Sequence, residues 1–175
     1  MKDERIMKKI GLFYAANAVK TSQIAKKIRE ALGSTEFVDI IPAEQAWGND
    51  FEAYDNLIVG VSTWFDGELP TYWDELIPEL ETLDLKGKRV ALFGLGDQVN
   101  YPDNFVDGLG ILGDAFEKAG AALVGFTPAK EYSFNRSKAL RGNEWCGLVI
   151  DIENQSGRTD KRIKAWCDRL KTELL

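Results

Sequence analysis

Short, largely apolar runs that read as strands alternate along this chain with segments whose apolar residues recur at helical spacing. No other feature of the sequence restricts the fold as much. Ile10, Leu12 and Phe13 belong to the first run, and within 20–32 the pattern switches to Ile24, Ile28, Ala31 and Leu32, one stripe of a helix. Residues 37–41 give a second strand, and 56–61 a third that is apolar enough to be covered on both sides. Pro70 opens a helix carried by Trp73, Leu76, Ile77 and Leu80. Pro78 lies inside it, where the missing N–H removes a hydrogen bond or bends the axis. A fourth strand at 89–95 precedes a helix built on Phe105, Leu109, Leu112, Phe116 and Ala119, with Gly120 as its stop. There follow a strand at about 122–126, a polar stretch at 127–145, a short strand at 147–152, and a helix at 160–174 striped with Ile163, Trp166, Cys167, Leu170 and Leu174.

Strands buried on both faces and separated by helices require a parallel sheet with helices on both sides, joined by right-handed crossovers. The expected fold is therefore α/β, a doubly wound five-stranded parallel sheet. At 175 residues the chain suits one core, and no linker, repeat or low-complexity tract divides it, so a single domain over 1–175 is expected. Residues 1–8 read as an N-terminal extension, and 127–146 as an insertion that splits the last strand.

Composition removes several function classes. The chain has no histidine, so Ser-His-Asp and Cys-His catalysis and histidine-bound metals are excluded, and no catalytic or metal-binding residue is expected. Asp and Glu number 28 against 22 Lys and Arg, a net charge of −6 with a pI near 4.8, a surface that repels nucleic-acid phosphates. No apolar stretch is long enough to span a membrane, and the segment from Met1 to Lys9 lacks the apolar centre of a secretion signal. Cys146 and Cys167 have neither metal-ligand nor dithiol spacing and read as reduced, packed thiols in a cytoplasmic protein.

In open α/β sheets, ligands sit beyond the carboxyl ends of the strands at a topological switch point. Loops 15–20, 62–69 and 96–104 should converge there. Trp64 follows the third strand directly and Tyr101 lies on the loop after the fourth. Either the two aromatics form the walls of a slot for a flat ring or they pack beneath their loops.

The segments Phe93-Gly94-Leu95-Gly96-Asp97-Gln98 and Tyr101-Pro102-Asp103-Asn104-Phe105 are similar to signatures of the long-chain flavodoxins, FMN-dependent electron carriers. So is the stretch from Gly147-Leu148 through Asp151 and Glu153-Asn154-Gln155-Ser156 to Thr159-Asp160. The resemblance extends from about Lys9 to Leu174. It implies a flavodoxin-like sheet in the order 2-1-3-4-5 whose last strand is split by the insertion that marks the long-chain branch. It also implies that Trp64 is the inner and Tyr101 the outer aromatic on the flavin. Ser62, Thr63, Phe65, Asp66 and Gly67, with Leu95, Gly96, Asp97, Gln98, Asn100, Asp103 and Asn104, belong by resemblance to the loops around the ring.

The first loop departs from the family pattern, which is close to Ser/Thr-x-Thr-Gly-x-Thr. Here it is Ala15, Ala16, Asn17, Ala18, Val19, Lys20 and Thr21, with alanine in place of hydroxyl donors at Ala16 and Ala18 and Val19 in place of glycine. Backbone N–H groups and the positive end of the following helix still attract an anion, and Lys20 adds a charge. Val19 is expected to strain the loop if it requires positive φ, whereas Asn100, where relatives often carry glycine, tolerates a left-handed backbone. The Lys20-Thr21 pair mimics the end of a nucleotide P-loop, but Tyr14 and Val19 occupy its glycine positions, which excludes ATP or GTP.

The resemblance thus implies a low-potential one-electron carrier binding FMN, and no enzyme. Its implied partners are redox proteins such as a flavodoxin or ferredoxin reductase or a pyruvate oxidoreductase, met by a monomer through its acidic rim. The insertion, bearing Lys130, Arg136, Lys138 and Arg141 against Glu131 and Glu144, is either a partner surface or a cover over the last strand. Two alternatives stay open: a binding or regulatory protein on the same fold with weakened or lost FMN binding, and an NAD(P)H-dependent FMN reductase.

Overall fold

The computed structural model describes residues 7–15, 17–33, 36–63 and 67–175. Most of the expected 1–8 extension therefore lies outside the described residues. Five strands run parallel: β1 (Ile10–Tyr14), β2 (Val38–Pro42), β3 (Asn56–Ser62), β4 (Arg89–Leu95) and β5 (Ala122–Val124), in the order β2-β1-β3-β4-β5. The order reverses between β1 and β3, so crossovers from those two strands leave in opposite directions. That divergence opens a crevice at their carboxyl ends.

Side chains alternate across the sheet with the two-residue period of a strand. Ile10, Leu12, Ile58, Ala91 and Phe93 face α1 (Val19–Ala31) and the C-terminal helix α6 (Thr159–Glu173), which contribute Ile24, Ile28, Ile163, Trp166 and Leu170. Phe13, Leu57, Val59, Val90 and Leu92 face the opposite way. They pack on Trp73, Leu76 and Leu80 of α3 (Thr71–Leu80) and on Leu109, Leu112 and Phe116 of α4 (Asp107–Lys118). Helix α3 continues through Pro78 to Leu80. Phe105, expected inside the fourth helix, is instead a buried residue just ahead of it, because Val106 takes a left-handed conformation (φ 48°) that starts α4 at Asp107. The two short helices α2 (Gly48–Glu52) and α5 (Ile152–Gln155) are too brief to show a helical period in the sequence.

The fifth lane of the sheet is made twice. β5 pairs with the first half of β4, Arg89 to Ala91, and a later strand, β9 (Leu148–Ile150), pairs with its second half, Phe93 to Leu95. The chain between them folds as a three-stranded antiparallel sheet of β6 (Thr127–Pro128), β7 (Leu140–Arg141) and β8 (Glu144–Trp145) in the order β6-β8-β7. Its polar composition conceals an aromatic cluster. Tyr132, Phe134 and Trp145 surround Phe105, with ring centroids 6.0, 5.7 and 5.6 Å from it. The insertion also lies directly on α4: a Cβ at Gly110 would come within 2.2 Å of the Lys138 carbonyl oxygen. Cys146 and Cys167 are both buried free thiols.

Candidate functional site

Beyond the carboxyl ends of β1, β3, β4 and β9 lies a cleft of about 410 Å³, within the usual range for small-molecule sites. Its first wall is the start of α1. The Ala18 N–H donates to the Ala15 carbonyl at 3.1 Å, and Ala18, with φ −83° and ψ 97°, becomes the N-cap. Alanine has no side-chain acceptor, and no side-chain hydrogen bond caps this helix. The first-turn N–H groups of any helix lack intrahelical partners, and here they sit at the positive end of a 13-residue helix against the cleft, where Ala18, Val19, Lys20 and Thr21 line it. Val19 is the first helical residue and is not among the positive-φ residues, so the strain expected of a β-branched side chain does not arise.

The end of β4 and the loop after it contribute Leu95, Gly96, Asp97 and Tyr101 to the lining. Asp97 organises this loop. Its Oδ1 accepts from the N–H groups of Val99 (3.1 Å) and Asn100 (3.0 Å) and from Asn154 Nδ2 (2.8 Å), while Oδ2 accepts from Asn100 Nδ2 at 2.7 Å. Partial burial opposes the charge, but the bonds from Asn100, Asn154 and Val99 outweigh it and hold the carboxyl below its ordinary value. Asn100 therefore serves through its amide and not through a left-handed backbone, since it is absent from the positive-φ residues. The Asp97 carbonyl accepts the Tyr101 N–H at 3.0 Å, closing the turn that places Tyr101, a 39% exposed residue, at the cleft.

The floor combines Ser62 and Thr63 from the end of β3 with Ile152 and Glu153 from α5. Thr63 Oγ1 accepts the Gly108 N–H at 3.1 Å, tying this floor to the first turn of α4. Ile152 and Glu153 were not anticipated as site residues. They lie in the 147–156 stretch that carried the family resemblance, and only the split of the last strand shows that its second half ends beside the first loop. Glu153 forms an ion pair with Lys20 across the cleft.

Other anticipated residues sit around this cleft without lining it. Ala15 is buried at the end of β1, and Asn17 is exposed. Gly67 is buried with φ +79°, where a Cβ would meet Asp107 Oδ2 at 2.7 Å, so a glycine is required there. Asp103 accepts from Asn135 Nδ2 at 2.8 Å, and the Asn104 carbonyl accepts the Asp107 N–H at 3.3 Å; both residues face the insertion. Gln98 points inward to buried Asp151. Ala16, Trp64, Phe65 and Asp66 lie outside the described residues.

Among the described residues no helix is long and apolar enough to cross a membrane, and no cluster of His, Cys, Asp or Glu is arranged to hold a metal ion. The whole arrangement has counterparts. A family model described as flavodoxin matches residues 12–166. The chain is 44% identical over 167 residues to the flavodoxin of Synechococcus elongatus, covering 95% of this chain and 98% of that one. It is 45% identical over 166 residues to a flavodoxin of Nostoc sp., covering 95% and 97% respectively. In three dimensions it is similar to the Fusobacterium nucleatum flavodoxin solved bound to flavin mononucleotide, with a TM-score of 0.91 and 32% identity over 97% of this chain and all of that one. On sequence and fold together, this chain belongs to the flavodoxin family.

Proposed function

We propose that the cleft binds FMN and that the protein is an electron carrier, passing one electron at a time between redox enzymes with no substrate of its own. The observation that carries this reading is the cleft itself, lined by both a helix N-terminus and the loop that bears Tyr101, in a chain whose relatives over nearly its full length are flavodoxins. The residues present fit the group. The start of α1, free of any side-chain cap, suits a phosphate, with Lys20 as an added cation and Thr21 at the wall. Leu95, Gly96 and Tyr101 suit one face of a flat ring, and Trp64 is proposed for the other.

Bound FMN supplies the one-electron redox chemistry. The chain's part is to orient the ring, limit its contact with water and set the local charge. Asp97, held ionised by its hydrogen bonds, and Glu153 place negative potential at the cleft. A negative, partly desolvated environment disfavours further negative charge, which favours a low potential. The partners proposed are redox proteins such as a flavodoxin or ferredoxin reductase or a pyruvate oxidoreductase, recruited to a surface of net charge −6 in encounters that weaken with salt. A monomeric, cytoplasmic protein belongs to the same proposal, and its buried free thiols suit a reducing compartment. The cofactor-less and reductase alternatives are not favoured, since the relatives are flavodoxins and the cleft keeps its anion-facing helix end.

A relay assay tests this reading. FMN-loaded protein, photoreduced and mixed with a one-electron haem acceptor, should pass its electrons on and recover its yellow colour, and should not oxidise NAD(P)H unless a reductase is added. Direct NAD(P)H oxidation, or protein that stays colourless in excess FMN, contradicts it.

A further inference from the structure

We infer that Glu153 is an internal anion held by Lys20 until the phosphate of FMN displaces it, so that this ion pair sets how strongly the site prefers FMN to uncharged riboflavin. The inference rests on the FMN reading above. Lys20 is the second residue of α1, whose cap is an alanine and whose leading segment lacks two hydroxyl donors of the family pattern. Among the described residues lining the cleft it is the one cation, against Asp97 and Glu153. The charge of Asp97 is already engaged by Val99, Asn100 and Asn154. Glu153, on the short helix that Asp151 caps by accepting the Asn154 N–H at 3.0 Å, reaches across to Lys20 instead.

The pair is well placed for exchange. Its side chains are 60% and 48% exposed, so water screens their attraction and little desolvation is lost when they part. A phosphate monoester carries about −1.5 to −2 charges and three strong acceptor oxygens, against one charge and two oxygens on a carboxylate. It can also use the α1 N–H groups, which Glu153 on another helix does not cap. The arriving phosphate therefore takes Lys20 and leaves Glu153 as an unpaired like charge at its edge. Glu153 opposes the phosphate in both ways, by occupying its cation beforehand and by repelling it afterwards.

The test is a fluorescence titration of apo-protein with FMN and with riboflavin, on the parent, Glu153→Gln, Lys20→Gln and the double variant, at low and high salt. Glu153→Gln should tighten FMN by roughly three- to tenfold at low salt and leave riboflavin within about twofold. Lys20→Gln should loosen FMN by about tenfold, again sparing riboflavin. In the Lys20→Gln background, the gain from Glu153→Gln should shrink, since no cation remains to be freed. High salt should compress all these ratios. An unchanged FMN-to-riboflavin ratio in Glu153→Gln, in a parent that binds FMN, overturns the inference and leaves the FMN reading standing. A parent that binds neither flavin overturns both.

Discussion

Asp151, fully buried at the end of β9, accepts hydrogen bonds from both the main-chain N–H and the side-chain amide of Gln98, at 3.1 and 2.7 Å. The same Gln98 uses its Oε1 to accept the Ser133 N–H at 2.6 Å. One amide side chain thus joins the loop that carries Tyr101, the second half of the split strand, and the insertion. Gln98→Ala leaves part of a buried carboxylate and the Ser133 N–H without partners. It should cost about 1–3 kcal/mol of apo-protein stability, read by urea unfolding. FMN affinity should fall with it, because the Asp97–Tyr101 turn keeps only its main-chain bond to Asp151 and loses its side-chain ties to Asp151 and to the insertion. Unchanged stability would show that Gln98 is replaceable by solvent.

The insertion bears directly on α4, and Gly110 is where the two backbones meet. A Cβ there would lie 2.2 Å from the Lys138 carbonyl oxygen and 2.7 Å from the Ala139 nitrogen, main-chain atoms that no rotamer change can move aside. Gly110→Ala should lift this segment, break the bond from the Lys138 N–H to Asp107 Oδ1 (2.8 Å), and destabilise the protein by about 1–3 kcal/mol or more. Faster hydrogen exchange of the Lys138 and Ala139 amides, with β1 and β3 unaffected, is the expected signature.

Burial pushes the Cys146 thiol up to about 11 and the Cys167 thiol up to about 12, from an ordinary value near 9.0. Tyr54, Tyr72 and Tyr132 are raised to about 12 from 10.0, chiefly by desolvation. In each case the unfolded chain ionises first. Their contribution to stability is therefore complete below about pH 9 and is lost as pH rises toward 11–12. The urea midpoint should be flat with respect to these groups near neutrality and fall steeply above pH 9. Neither thiol should react with a disulfide reagent at pH 8 until the protein is unfolded.

The proposed stacking of Tyr101 and Trp64 on the flavin ring is tested by Tyr101→Ala and Trp64→Ala. Each should weaken FMN and riboflavin equally, by roughly two- to tenfold for the loss of about 0.5–1.5 kcal/mol of stacking, with some further loss from buried area. A variant that weakened FMN alone would show that its aromatic acts on the phosphate and not on the ring.

The sheet was legible in the sequence because its central strands β1, β3 and β4 are nearly continuous apolar runs buried on both faces, and its helices because Ile24 and Ile28, or Leu109, Leu112 and Phe116, keep one stripe. The start of α4 was misplaced by two residues because Phe105 keeps helical spacing while sitting in the turn before it. The insertion appeared merely polar, since Trp145 stands well apart in sequence from Tyr132 and Phe134 and meets them only through a fold of two-residue strands. For the site, the loops after β1, β3 and β4 were accessible from the general behaviour of doubly wound sheets. Glu153 was not, because its meeting with Lys20 depends on a contact across 133 positions that no local pattern encodes.

The most direct measurement is a stoichiometric titration of apo-protein with FMN, followed by quenching of the flavin fluorescence. Saturation at one FMN per chain, strong quenching as the ring enters the cleft beside Tyr101, and weaker binding of riboflavin are expected. Flavin that stays fully fluorescent in the presence of excess protein would contradict the FMN reading.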